Sequence, residues 1–114
     1  MKQKTIKQLQ RQTYEINKAN GWHTEAPDPW RLLALIHTEV SEATEELRKP
    51  DFEPTRIYHR PSDGKPEGLP PELADVVIRC MDMAESLGID LEAAITEKLA
   101  FNATRPFRHG GKTA

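Results

Sequence analysis

One cysteine in 114 residues leaves nothing for an intrachain disulfide to pair with, and a lone thiol, Cys80, fits a reducing cytosol. Cys80 lies on an apolar helical face, so it reads as core rather than as a nucleophile. Aromatic residues are scarce (three Phe, two Trp, two Tyr), which with abundant charge argues against an all-β chain. No apolar run is long enough to span a bilayer, and the Lys/Gln-rich start lacks the apolar segment of a secretory signal, so the expected location is cytoplasmic. A net charge of −2 excludes a protein built mainly to coat nucleic acid, and no nucleic-acid polymer is expected as a partner. Motifs are missing too. There is no glycine-rich phosphate loop, no zinc-ligand spacing, no serine in a recognisable nucleophile turn, and no Glu-x-x-His pair of the di-iron kind.

What the chain does have is two acidic pairs at one spacing, Glu39-x-x-Glu42 and Glu72-x-x-Asp75. A three-residue step on a helix sets both side chains on one face, about a turn apart. Two such helices side by side would bring four carboxylates together. They repel unless a cation neutralises them, and hard oxygen ligands suit Mg²⁺.

The pattern predicts four helices in a single domain spanning 1–114. The first, 2–20, carries a thin apolar stripe of Ile6, Leu9, Thr13 and Ile16, and Asn20-Gly21 stops it. Asp28 and Pro29 supply the cap and first position of the second. Its apolar stripe is Leu32, Ile36, Val40, Ala43 and Leu47; beside it, at ~100° per residue, run Leu35, Glu39, Glu42 and Glu46. Pro50 ends it. The 50–69 connector, with Asp63-Gly64 as its turn, is long for so small a domain and leaves a short hairpin around Arg56–Tyr58 open. The third helix, 71–87, has Leu73, Val76, Val77, Cys80, Ala84 and Leu87 as its main apolar face, widened by Ala74, Ile78 and Met81. Only Glu72, Asp75, Arg79 and Asp82 keep one strip polar. A helix this apolar needs cover on most sides, so an oligomer is expected. Asp90 caps the fourth helix, 91–104, where Lys98, Asn102 and Arg105 share the face of Leu91 and Ile95. Charges aimed inward call for the acids or for an anion. The tail, 107–114, is basic and expected to be flexible.

Each acidic pair alone has an ordinary explanation: a solvated helix flank for Glu39 and Glu42, and a first-turn complement to the helix dipole for Glu72 and Asp75. Trp22 and Trp30 read as plugs at a bundle end or as platforms for stacking a nucleobase. His23 and His37 read as surface or structural side chains. It is the combination of two acid pairs with an inward basic row that points to a site.

Three stretches together carry a resemblance: Leu35-Ile36-His37-Thr38-Glu39-Val40-Ser41-Glu42-Ala43, Glu72-Leu73-Ala74-Asp75-Val76-Val77, and Lys98-Leu99-Ala100-Phe101-Asn102-Ala103-Thr104-Arg105-Pro106. With the tail His109-Gly110-Gly111-Lys112, they make the chain resemble the MazG-like nucleotide pyrophosphohydrolases of the all-α NTP pyrophosphatase group, from about Asn20 to Lys112. The resemblance implies an all-α, four-helix MazG-like bundle assembled as a dimer or tetramer. It also implies cleavage of (d)NTPs between the α and β phosphates to a monophosphate and pyrophosphate, plausibly as nucleotide-pool house-cleaning. Glu39, Glu42, Glu72 and Asp75 become metal ligands for Mg²⁺, with Mn²⁺ as a substitute. Lys98, Asn102 and Arg105 become phosphate-holding residues, and Trp22 and Trp30 candidates for the base. Many members carry a double glutamate at the start of the first motif, where this chain has Thr38; Glu46, one turn beyond Glu42, is then the candidate general base. Two other readings stand beside this one: a phosphoribosyl-ATP pyrophosphatase-like hydrolase, and a non-catalytic helical adaptor binding a partner through the third helix.

Overall fold

Capping residues set most of the helix boundaries. In the computed structural model, which describes residues 2–114, α1 spans Ile6–Ala19. It starts four residues later than the sequence suggests because Thr5 closes a capping box: its hydroxyl accepts from the Gln8 amide while the Gln8 side chain accepts from the Thr5 amide. α2, Pro29–Leu47, begins as expected, with the Asp28 carboxylate accepting from the amides of Trp30 and Arg31. The 50–69 connector folds into a small antiparallel hairpin, β1 (Tyr58–His59) on β2 (Pro66–Glu67). α3 is Leu69–Ser86, and α4, capped by Asp90, is Leu91–Thr104. A final turn, α5 (Arg108–Gly111), includes left-handed backbone at His109 and Gly110. The chain is thus mostly helical, and among the described residues no helix is long and apolar enough to cross a membrane.

α3 is the centre. It packs against α2 on one side and α1 on the other, while α4 touches α1 lightly and lies along neither α2 nor α3. The expected four-helix bundle is therefore not assembled within one chain. α4 is tethered at its start, where Glu92 accepts from the Lys7 amide at 3.2 Å and Asp90 pairs with Lys7 at 3.5 Å; beyond Glu92 the whole helix is exposed.

The helix faces differ from the expected ones in a consistent direction. On α1 the face turned inward is Ile6, Gln10, Thr13, Tyr14 and Asn17, not the stripe through Leu9 and Ile16. On α2 it runs Leu32, Ile36, Glu39, Ala43 and Glu46, leaving Val40 and Leu47 outside. On α3, Glu72, Asp75, Arg79 and Asp82 lie inward, and Leu73, Val77 and Ile78 are exposed. The acids thus lie within the contact between helices rather than at its shoulder. Among the described residues, the buried hydrophobic side chains are Ala43, Met81 and Ala84. Polar contacts fill the α1–α3 seam. Gln10 donates to Glu85 at 3.0 Å and to the Ile89 carbonyl at 2.9 Å; Asn17 donates to Asp82 at 3.0 Å; His23, stacked on Tyr14, meets the same Asp82 oxygen at 2.7 Å. The radius of gyration is 16.9 Å, against about 13 Å for a compact chain of this length.

Gly68 joins the hairpin to α3 with a φ of +119°, and a Cβ there would run into the Arg56 carbonyl oxygen. Gly88 has a φ of +71° and open space around it. We therefore expect Gly68→Ala to cost roughly 2–4 kcal/mol, strain plus collision. Gly88→Ala should cost about 1 kcal/mol, strain alone. Urea unfolding of the two variants measures the difference.

Candidate metal centre

Glu39 comes from the middle of α2, and Glu72 and Asp75 from the first two turns of α3. The close pairing of these helices brings one carboxylate oxygen from each of the three residues within 4.8 Å of the others. That is the span of ligands around one divalent ion held by oxygens at 2.0–2.6 Å. Glu72 is 9 % exposed, and among the described residues no hydrogen-bond donor reaches it or Asp75. Withdrawing a carboxylate from water without a partner is costly, and here buried Glu72 and half-buried Asp75 face a third acid, Glu39.

The electrostatics reflect this crowding. Burial pushes the Glu72 carboxyl above its ordinary range, and the charges of Asp75, Glu39 and Glu42 push it further. Burial and Glu39 do the same to Asp75. Two cations work the other way. Lys65, just before β2, favours the charged form of both acids, and Arg79 favours that of Asp75. Arg79 is the one that makes contact: its Nε–H donates to Glu39 Oε1 at 3.2 Å.

The other candidate residues lie elsewhere. Glu42 is exposed, outside the three-residue cluster but close enough to act on Glu72. Glu46, seven residues and so about 10 Å along the helix from Glu39, is occupied. Its Oε1 accepts from Lys49 Nζ at 3.0 Å and from the Tyr58 hydroxyl at 3.1 Å, fastening the hairpin to α2. Lys49, which also donates to the Tyr58 hydroxyl, is held strongly in its charged form by Tyr58 first and Glu46 second. Thr38 donates its hydroxyl back to the Ala34 carbonyl at 3.1 Å and faces solvent. Lys98 and Arg105 lie 5.6 Å and 5.8 Å from the Phe101 ring centre, on the exposed length of α4. With Asn102 they do not meet the acids within one chain. Trp22 and Trp30 are 60 % and 84 % exposed, and Trp30 is nine residues, roughly 13 Å along the helix, from Glu39.

Sequence reasoning overlooked Arg79 and Lys65 as neighbours of the acids. Arg79 left a signal, since it follows Asp75 by four on the polar strip of α3. Lys65 left none, because its position depends on the hairpin. Compared with protein-family models, curated proteins and solved structures, the chain matches none.

Three carboxylates of one polarity, one of them buried and unpartnered, fit a hard divalent cation. Without an ion, Glu72 and Asp75 hold protons more tightly folded than unfolded. Their contribution to stability is therefore complete below the unfolded carboxylate range and is lost as pH rises through the raised folded range. Glu72→Gln and Asp75→Asn should each raise the thermal midpoint at neutral pH in EDTA, and the gain should shrink as the buffer is made acidic. Thermal unfolding across pH, each variant against the unaltered chain, reads this directly.

Proposed function

We propose that this chain is a Mg²⁺-dependent nucleoside triphosphate pyrophosphohydrolase of the MazG-like kind, converting (d)NTP to (d)NMP and pyrophosphate. The observation that carries the reading is the meeting of Glu39, Glu72 and Asp75 from two helices within one ion's reach. These three residues would hold Mg²⁺, with Glu42 beside them. Bound there, the ion would draw in the polyphosphate and lower the pKa of an attacking water. The proteins' own groups do the rest. Water adds to the α phosphorus, the bond from that phosphorus to the bridging oxygen of the β phosphate breaks, and pyrophosphate leaves. With Glu46 engaged at the hairpin, exposed Glu42 is the acid left to take the water's proton. Arg79 and Lys65 are the cations beside the acids in the same chain.

The working form we propose is a homo-oligomer. Val40, Leu47, Leu73, Val77, Leu99 and Phe101 are each about half exposed, and α4 is uncovered along most of its length. A chain that turns carboxylates inward and aliphatic side chains outward is stabilised by pairing those outward faces, and a second copy supplies matching ones. In such an assembly, α4 of one copy can complete the four-helix bundle of another, with Lys98, Asn102 and Arg105 facing the partner's substrate phosphates.

The same exposed face of α3, through Leu73, Val77 and Ile78, also favours the second reading, an adaptor that covers it with a different protein. Magnesium separates the two. For the enzyme, Mg²⁺ raises the thermal midpoint by mass action and Glu39→Gln abolishes the rise; an adaptor ignores the ion in both proteins.

The test of activity is a panel of NTPs, dNTPs and phosphoribosyl-ATP, with and without Mg²⁺, with the products identified. Pyrophosphate release from at least one (d)NTP is expected. Residues that merely support metal ligands are worth about 10–100-fold, so Glu72→Gln should lower activity at least ~100-fold. No pyrophosphate from any substrate would defeat the reading. In sedimentation at micromolar concentration the chain should run as a dimer or larger, and Leu99→Glu should shift it toward monomer.

A further inference from the structure

We propose that Arg79 is the counter-ion built into the acidic cluster, a positioning residue that holds Glu39 while no metal is bound and competes with a divalent ion for it. The inference rests on the metal-binding reading above and concerns how that site is regulated. Arg79 is the one cation among the described residues that is hydrogen-bonded to the cluster, through Nε to Glu39 Oε1 at 3.2 Å. It stands four residues after Asp75 and seven after Glu72, so all three share one face of α3 while Glu39 reaches across from α2. The two partners differ in freedom. The Glu39 side chain is 14 % exposed and fixed between the helices, whereas the Arg79 side chain is 39 % exposed and has solvent to swing into.

Three carboxylates this close repel, and a guanidinium on one of them reduces that repulsion without filling the site. A dication approaching the same oxygens meets the guanidinium as a like charge and must take over a carboxylate already in use. Arg79 thus steadies the empty site and weakens its hold on metal. The Glu39 side chain stays enclosed in the α2–α3 contact, so removing Arg79 relieves the competition without exposing the ligand.

Mg²⁺ titration followed by calorimetry and by thermal shift tests this in the full chain. Arg79→Gln should bind Mg²⁺ about five- to tenfold more tightly than the unaltered chain at low salt, and the gain should shrink as KCl screens the charges. Arg79→Leu, a second neutral variant should the first fail to fold, should tighten binding likewise. Arg79→Lys keeps the charge and should stay within about twofold of the unaltered chain. In EDTA both neutral variants should unfold at lower temperature. Unchanged or weaker binding in the neutral variants, or equal tightening in Arg79→Lys, would overturn the counter-ion role while leaving the metal site standing. If neither the unaltered chain nor the neutral variants bind Mg²⁺, the metal reading itself fails and this inference with it.

Discussion

Mutual repulsion among carboxylates is the constraint around which this protein is arranged. Its most extensive helix contact, between α2 and α3, is the one that brings Glu39 against Glu72 and Asp75. A helix pair that meets along acids gains little from its centre and must be held at its edges. At one edge, Tyr58 and Lys49 converge on Glu46 and tie the hairpin to α2. On the far side of α3, Gln10, Asn17 and His23 of the first helix and its connector bind Glu85, the Ile89 carbonyl and Asp82. These are directional polar contacts, which set geometry rather than bury apolar surface. They fix α1 against α3 and the hairpin against α2 without needing a large core. Supports at the edges of an acidic cluster are what a preorganised site would require, since carboxylates that repel must not relax apart.

The same arrangement explains the apolar surface. A helix has one circumference. If the strip through Glu72, Asp75, Arg79 and Asp82 is turned toward the neighbouring helices, the aliphatic residues on the rest of α3 are left facing out. The inward acids and the outward Leu73 and Val77 are thus two consequences of one rotation about the helix axis. A radius of gyration larger than a compact chain of this length would have, and a fourth helix without cover, belong to the same geometry.

Local signals in the sequence were sufficient where a side chain acts on its own backbone. The Asp28 and Asp90 caps, Pro29 and the glycine at position 88 mark the ends of α2, α3 and α4 to within one or two residues. Of the four acids the pair spacing points to, Glu39, Glu72 and Asp75 meet, because their joint position depends only on two helices lying side by side, while Glu42 stays exposed outside the cluster. Face assignment was less successful. Placing Val40 and Leu47 on a buried face assumes that the stripe of α2 is covered by the same chain, and here it is not; on α3, whose apolar width already calls for cover beyond one chain, Leu73 and Val77 are exposed. Residues whose position depends on tertiary structure were not legible. Glu46 looked free on the helix, but the hairpin that occupies it forms from a proline-rich connector with little strand signal. The Lys98–Arg105 row looked inward because its face holds Leu91 and Ile95, yet only Leu91 and Glu92 of α4 are even partly covered.

Charge bookkeeping at the cluster bears on how tightly a divalent ion would be held. Three carboxylates set against one guanidinium leave the group short of positive charge by about the amount one such ion carries. Thr38, which bonds back to its own helix and faces solvent, adds no further acid. A site with more carboxylates and no arginine would bind an ion more strongly and release it more slowly. It would also be destabilised further when empty, since each added acid raises the repulsion already felt by Glu72. On the proposed reading the arginine would limit two costs at once: the instability of the empty site and the permanence of the filled one. For a small chain with three buried hydrophobic side chains among its described residues, the first is the more pressing.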